Sequence, residues 1–543
     1  MKNIFISVFC LFLMVQTFVS CNNSFLNEKN FSSYAPSTLT DSLGFQASLV
    51  GLYTQLSYWY TWSDHQGWVS VWQVGTDIAY STPNQEGIEI PYYNYNLLIS
   101  TDAAASEAWS LQYQMINNAN NIITSIESPN VTGLSQTGKN KIDAEARFFR
   151  AYAYNKLATL FGGVPLVTKP VTGPQTNFVR APLDSVNALI VKDLVYASTY
   201  LPDVNHVANQ ERVNQAAAQQ LLATAYLRMG RYSDAETQCK NIINSGLFSL
   251  VTNRYGIKAT QPGDAFHDMF IYGNERRSQG NTEAIWVLQQ ENPSTVVGGS
   301  TGYPQQRRVW GAAYYNIKGL AICDSLGGRS LARLRLNNWV LYGLYPPGDM
   351  RNSKYNIHRR YWYNDPSYPA LYGQPVPYAG ADTVYKICPQ TMKWGQFDPN
   401  DVFGYGMWKD FILMRLGETY LLLAEAQCQE GHYADAAASI NVLRTRANAP
   451  LVSASQININ FILDERAREL LAEENRRMTL LRVGEEMGVN MLAKRALRLN
   501  QDANCPHPIV GLDSTSMNKM LLPIPQSEID LNKDATLRQN PGY

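Results

Sequence analysis

Several stretches of the 543-residue chain carry residue types that could do chemistry, and each lacks a part that its chemistry requires. Gly133 to Lys139, GLSQTGK, has the spacing of a phosphate-cradling loop. Asn140, however, stands where a Ser or Thr would hold magnesium, and no apolar strand precedes the loop. Gly298 to Gly302, GGSTG, has the spacing of a nucleophile elbow, but Pro304 and the polar run after it leave no helix to support the turn. The six His are scattered and contain no HExxH, so a zinc hydrolase is not expected. Glu418 and Glu425 fall on one helix face, where seven residues of helical rise separate them by about 10 Å. That separation lies beyond the range of paired glycosidase carboxylates. Arg415, Arg444 or Arg446 are the expected counter-charges. No catalytic residue, metal ligand set or cofactor is therefore expected.

Aromatic side chains are the more informative chemistry. The chain has 33 Tyr and 11 Trp. A pyranose ring presents an apolar C–H face that stacks on Trp or Tyr, while neighbouring polar groups read its hydroxyls. Two regions supply both kinds of group: Trp68, Trp72 and Asp77 in the first, and Arg308, Trp310, Tyr314 and Tyr315 through Asn337, Asn338 and Trp339 in the second. Of these, Trp68, Trp72, Asp77, Arg308, Trp310, Tyr314, Tyr315 and Trp339 are the eight candidate ligand residues, with Asn337 and Asn338 as polar neighbours. The competing role for each aromatic is an ordinary place in the core. Lys+Arg and Asp+Glu both number 45, so no net field draws in nucleic acid.

The elements that must position these groups are mostly helices. Asp410 to Ala449 reads as two helices joined at Gly431, with Leu416, Tyr420, Leu423 and Gln427 on one stripe. Leu221, Leu222, Ala223, Ala225, Gly230, Tyr232, Asp234 and Ala235 repeat its pattern residue for residue. This is the code of a tetratricopeptide-type hairpin, whose copies stack to bury their faces. Further helices are expected over 41–57, 105–127, 142–161, 183–200 and 462–483, the last as a solvated face carrying ERARELLAEENRR. Between about Val251 and Phe403 helical periodicity fades and Gly, Pro, Asn and Tyr accumulate. So long an irregular stretch in a compact protein is usually functional.

Residues 1–20 read as a leader: Lys2, then a mostly apolar run from Ile4 to Val19, then Ser20 before Cys21. The stretch resembles a bacterial lipoprotein signal cut before Cys21, whose thiol would carry lipid. An ordinary signal peptide and a membrane anchor are the alternatives, and the run is short and polar for an anchor. Cys239, Cys323, Cys388, Cys428 and Cys505 are too scattered for a disulfide framework.

Taken in order, AEARFFRAYAYNKLATLFGGVPLV from Ala144, LLATAYLRMGRYSDA, FILMRLGETYLLLAEA, LRTRANAP, ERARELLAEENRR and the closing LLPIPQSEI…QNPGY resemble the SusD/RagB family of outer-membrane nutrient-binding lipoproteins. The resemblance implies a mainly α fold with tetratricopeptide-like hairpins as scaffold and a loop-rich ligand face. It divides the chain into a signal at 1–20, a lipidated tether at 21–40, helical parts at 41–250 and 405–543, and a ligand-face insert at 251–404. It further implies a non-catalytic, lipid-anchored surface protein that captures an oligosaccharide. The partner would be a SusC-like TonB-dependent transporter, over which the protein acts as a lid. Asn22, Asn23 and Ser24 replace the acidic residues that often accompany surface export. A surface glycoside hydrolase and a peptide-binding scaffold are the alternative functions.

Overall fold

The apolar stripes form antiparallel helices. The computed structural model describes residues 39–61, 66–300, 302–501, 505 and 507–543, so the leader, Cys21 and the tether through residue 38 lie outside the described residues. Helix α1 spans Ser42–Thr61, and Asp41 caps it by accepting from the Gly44 N–H at 2.9 Å. Helix α2, Ala103–Ile126, and helix α3, Gln136–Phe161, are capped in the same way by Asp102 and Ser135. The phosphate-loop look-alike is thus the start of α3, with Ser135 bonded to the Gly138 N–H. Helices α4, Leu183–Tyr200, α5, Gln215–Arg228, and α6, Tyr232–Asn244, follow. The later pair is α7, Leu416–Gln429, and α8, Tyr433–Arg446. From α2 to α8 each helix packs on the next, including α6 on α7 across a gap of more than 170 residues. Ala225, Ala235, Ala424, Ala426 and Ala436 are fully buried and let the backbones approach closely. Gly230 and Gly431 turn the two hairpins at φ +68° and +79°, a conformation costly for any residue with a Cβ.

Among the described residues six short strands accompany the helices: β1, Ala79–Ser81; β2, Ala284–Leu288; β3, Leu334–Leu336; β4, Ile357–His358; β5, Gln390–Thr391; and β6, Phe411–Arg415. They form three antiparallel pairs, β1–β3, β2–β6 and β4–β5. The β6 strand corrects the sequence expectation, which began the helix at Asp410. Phe411 to Arg415 pairs with β2, Leu288 opposite Phe411 and Val287 opposite Ile412, and α7 begins only at Leu416. FILMR lacks a polar–apolar alternation, so the period that marks a strand is missing.

The expected helix over 462–483 is two helices, α9, Ile459–Glu469, and α10, Arg476–Met487. The break between them places Ala472 at φ +62° and frees Asn475 to cap α10. It also buries the charges that the sequence suggested were solvated. Glu469 receives Arg415 at 2.7 Å, Arg351 at 3.0 Å and Arg446, while Glu465 pairs with Arg351, Arg444 and Arg468. The counter-charges of the two α7 carboxylates also differ from expectation. Arg466 holds Glu418 at 2.9 Å, and Arg482 holds Glu425 at 2.6 Å. A continuous helix would point half of these groups at solvent. The break converges them on one buried network that ties Arg351 and Lys393 of the insert to the helical body.

The insert keeps a small core of its own, in which Ala312, Tyr314, Leu326, Tyr361 and Ile387 pack together. Cys239 and Cys428 are buried in the hairpins. Among the described residues no helix is long and apolar enough to cross a membrane.

Candidate ligand-binding site

Exposed ring faces gather where the end of the insert meets the short helix Gln306–Trp310. Tyr303, Phe403 and Tyr405 are 50 %, 66 % and 61 % exposed. The loop that carries the last two is anchored from beneath. Buried Arg307 donates to the carbonyls of Gln396 at 2.8 Å, Gly404 at 2.9 Å and Gly406 at 3.0 Å. The Gly404 N–H donates to the Asp401 carbonyl at 3.0 Å, closing the turn that carries both rings. Tyr303 lies 6.1 Å, centroid to centroid, from half-buried Trp408 on the other side of Gly406.

Guanidinium groups lie among these rings. Arg308 sits 4.2 Å from the Tyr405 centroid. Arg329 lies 5.2 Å from Tyr405, 5.7 Å from Tyr315 and 5.9 Å from Phe403, and donates to the Phe403 carbonyl at 2.5 Å. Burial, with the nearby Arg329 charge, pushes the Arg308 pKa down to about 10. It still carries its proton at neutral pH. The Arg308 carbonyl accepts from the Leu331 N–H at 3.1 Å, and the Leu331 carbonyl accepts from Asn84 at 2.6 Å. Arg333 pairs with Glu86 beyond it. The β1–β3 pairing therefore brings the polar 82–86 loop to the margin of the aromatic surface.

The eight ligand residues expected from the sequence are distributed unevenly. Arg308 and half-buried Tyr315 belong to this surface. Trp68 and Trp339 are half-buried against the main core, and Trp339 carries the Arg495 guanidinium at 5.5 Å. The other four are a correction, because their faces are already occupied. Trp72 stacks on Trp59 at 4.6 Å. Trp310 lies in the main core. Tyr314 stacks on Tyr361 and donates to the Gly328 carbonyl. Asp77 is clasped by Arg476 at 2.8 Å and Arg495 at 2.7 Å. Phe403 and Tyr405, the exposed rings of this candidate surface, are not among the eight. Their signal is the VFGYG stretch, two rings flanking a glycine with no helical or strand period to bury them.

Two concavities elsewhere suit a sugar less well. A groove of 520 Å³ runs along α2 and is lined by Trp109, Tyr113, Phe178 and Glu528. There Trp109 is packed by Tyr113 and Phe161, so it offers no open face. A 210 Å³ cavity within the helical body is lined by Trp59, Lys156 and Glu418. Lys156 lies 3.7 Å over the Trp59 ring, and burial holds its pKa well below the usual lysine value.

Comparison with known proteins places this geometry in context. Residues 343–543 match the model described as the SusD family, and residues 25–227 match one described as starch-binding associating with outer membrane. A SusD-like protein of Formosa agariphila is 24 % identical over 514 residues, covering 89 % of this chain and 90 % of that protein. Another from the same organism is 26 % identical over 463 residues, covering 81 % and 80 %. Among solved structures, a laminarin-binding SusD-like protein superposes with a TM-score of 0.69 at 22 % identity, covering 93 % of this chain and all of that one. Surface glycan-binding protein A from Bacteroides thetaiotaomicron, in complex with laminarihexaose, gives a TM-score of 0.70 at 19 % identity, with coverage of 93 % and 100 %.

Proposed function

The chain belongs to the SusD family, and from that premise we propose that it binds a nutrient glycan on the Tyr303–Phe403–Tyr405 surface and passes it to a TonB-dependent outer-membrane transporter, over which it acts as a lid. The observation that carries the glycan reading is the pair of outward rings at Phe403 and Tyr405, exposed by 66 % and 61 % on a loop pinned by Arg307. Rings held rigidly in solvent cost little ordering entropy when a sugar face stacks on them. Glycan binding is also what the names of the similar solved proteins describe, laminarin for one and laminarihexaose for another. Membrane attachment through a lipidated Cys21 and a position at the cell exterior belong to the same proposal. Their support is the leader-like sequence and the outer-membrane description of the matched family.

No hydrolytic step is included. Glu418 and Glu425, the pair spaced along one helix face, are each neutralised by an arginine inside the body and do not flank the open surface. The test is electrophoresis of the purified protein through gels containing laminarin, starch, xylan, mannan, alginate or a sulfated galactan. Retardation by at least one polysaccharide that weakens in Phe403→Ala and Tyr405→Ala supports the reading. Retardation unchanged in both variants moves the site elsewhere, and free migration through every gel removes glycan binding. Shortened chains after incubation would instead favour a hydrolase.

A further inference from the structure

We infer that the glycan held on this surface carries an acidic substituent, a carboxylate or a sulfate ester, received by Arg308 and Arg329. The inference rests on the glycan reading above and narrows its substrate class.

It starts from unbalanced charge. Arg308 and Arg329 lie within electrostatic reach of Arg307, and Arg329 and Arg333 within reach of Arg308, so that on top of burial these like charges make it harder for Arg307 and Arg308 to stay charged. Arg333 has Glu86. Arg307 is satisfied by three carbonyls. Arg308 and Arg329 pair with no carboxylate among the described residues. Arg308 is 3 % exposed, and its Nε and Nη1 have no hydrogen-bond partner. The Nε of Arg329 is also buried without a partner. Elsewhere several buried arginines are met by acids, Arg351 by three, Arg415 by three and Arg476 by two, while Arg228 and Arg477 are met instead by amide, hydroxyl and carbonyl oxygens.

A buried guanidinium with open N–H groups is costly unless a counter-charge arrives. Here only ring faces stand in for one, and a cation–π contact is weaker than a bidentate oxyanion. The ring over Arg308 is Tyr405, which is itself exposed and on the ligand surface. A sugar stacked on Phe403 and Tyr405 would hold a ring substituent near Arg329, and a shift of Tyr405 would open the planar N–H edge of Arg308. Carboxylate and sulfate oxygens match that fork, whereas sugar hydroxyls do not supply the missing charge.

The test uses matched pairs: alginate and its carboxyl-reduced derivative, and a sulfated galactan and its desulfated derivative. Affinity electrophoresis is run on the full soluble chain and on Arg329→Met, Arg329→Lys and Arg308→Met. Arg329 is the primary site for substitution because it is only half-buried, so its variants are expected to fold. The expected result is retardation by an acidic member at least tenfold stronger than by its neutral partner, with the difference lost in Arg329→Met and weakened by salt. Retention of the difference in Arg329→Lys at reduced strength would mark a charge contact. Equal retardation by both members of a pair overturns the acidic inference and leaves glycan binding intact. Retardation by neutral laminarin alone does the same. Failure of every polysaccharide, neutral or acidic, to retard the protein overturns both.

Discussion

Replacing Asp77 separates two roles for the same residue. The sequence offers it as a ligand-reading carboxylate beside Trp68 and Trp72; the structure makes it the clasp between the segment after α1 and the C-terminal helices. Its Oδ1 accepts from Arg476 Nε at 2.8 Å, and its Oδ2 accepts from Arg476 Nη2 at 2.8 Å and Arg495 Nε at 2.7 Å. Both partners are 1 % exposed or less. Asp77→Asn keeps the shape but leaves two buried cations facing a neutral amide. Removing one member of such a buried set costs about 3–5 kcal/mol. A cooperative body of roughly 500 residues has an unfolding entropy on the order of 1 kcal/mol/K, from about 2.1 cal/mol/K per residue, so the melting temperature should fall by about 3–5 °C.

The pH dependence gives an independent check. Burial raises the Asp77 pKa, but Arg476 and Arg495 outweigh it and hold the carboxyl well below the usual range. A depressed folded-state pKa contributes stability above the unfolded pKa of about 3.9 and loses it as pH falls through the folded value. The gap between wild type and Asp77→Asn in differential scanning calorimetry should therefore be full at pH 7 and narrow below about pH 4. Glycan retention at 20 °C should be unchanged. An unaltered melting temperature together with lost retention would refute the clasp and restore Asp77 to the ligand surface.

Other outcomes follow from the same contacts. Trp72→Ala, which empties the stack on Trp59, should cost about 3–5 kcal/mol in denaturant unfolding without altering retention of the folded fraction. Tyr405→Ala should leave the melting temperature within a degree of wild type and weaken glycan binding by about five- to thirtyfold, the range of one lost stacking contact, read by isothermal titration calorimetry. Gly431→Ala should destabilise by roughly 1–2 kcal/mol, because φ +79° penalises a Cβ. Burial, reinforced by the Glu425 charge, raises the Glu486 pKa, so its folded form keeps a proton that the unfolded form gives up. Stability should then fall as pH rises from the unfolded value through the folded one, and Glu486→Gln should flatten that decline in a melting series from pH 5 to 9.

The scaffold was legible because its signals are local. The stripe at Leu416, Tyr420 and Leu423, the glycines at 230 and 431, and the alanines of both hairpins each act within a few residues, and the resulting helices pack in succession. The break at 470–475 was not legible. Leu463, Ala467, Leu470 and Leu471 keep the helical period up to it, and what separates α9 from α10 is a buried charge network whose members Arg351, Arg415 and Arg446 come from distant segments. The candidate surface was less legible, since composition marks a Trp or Tyr as able to stack but not which side of it faces out. Trp72 and Trp310 look the same in sequence as Phe403 and Tyr405; the loop anchored by Arg307 determines which pair reaches solvent. Arg308 was named for its aromatic neighbours, whereas its missing counter-charge needs the fold to be seen.

The most direct measurement is a crystal structure of the purified chain with an oligosaccharide that it retains. Density for a sugar ring stacked on Phe403 or Tyr405, with a substituent within hydrogen-bonding distance of Arg329, is the expected result. A sugar lodged in the groove beside Trp109 and Phe178, with the Phe403–Tyr405 loop bare, would contradict it.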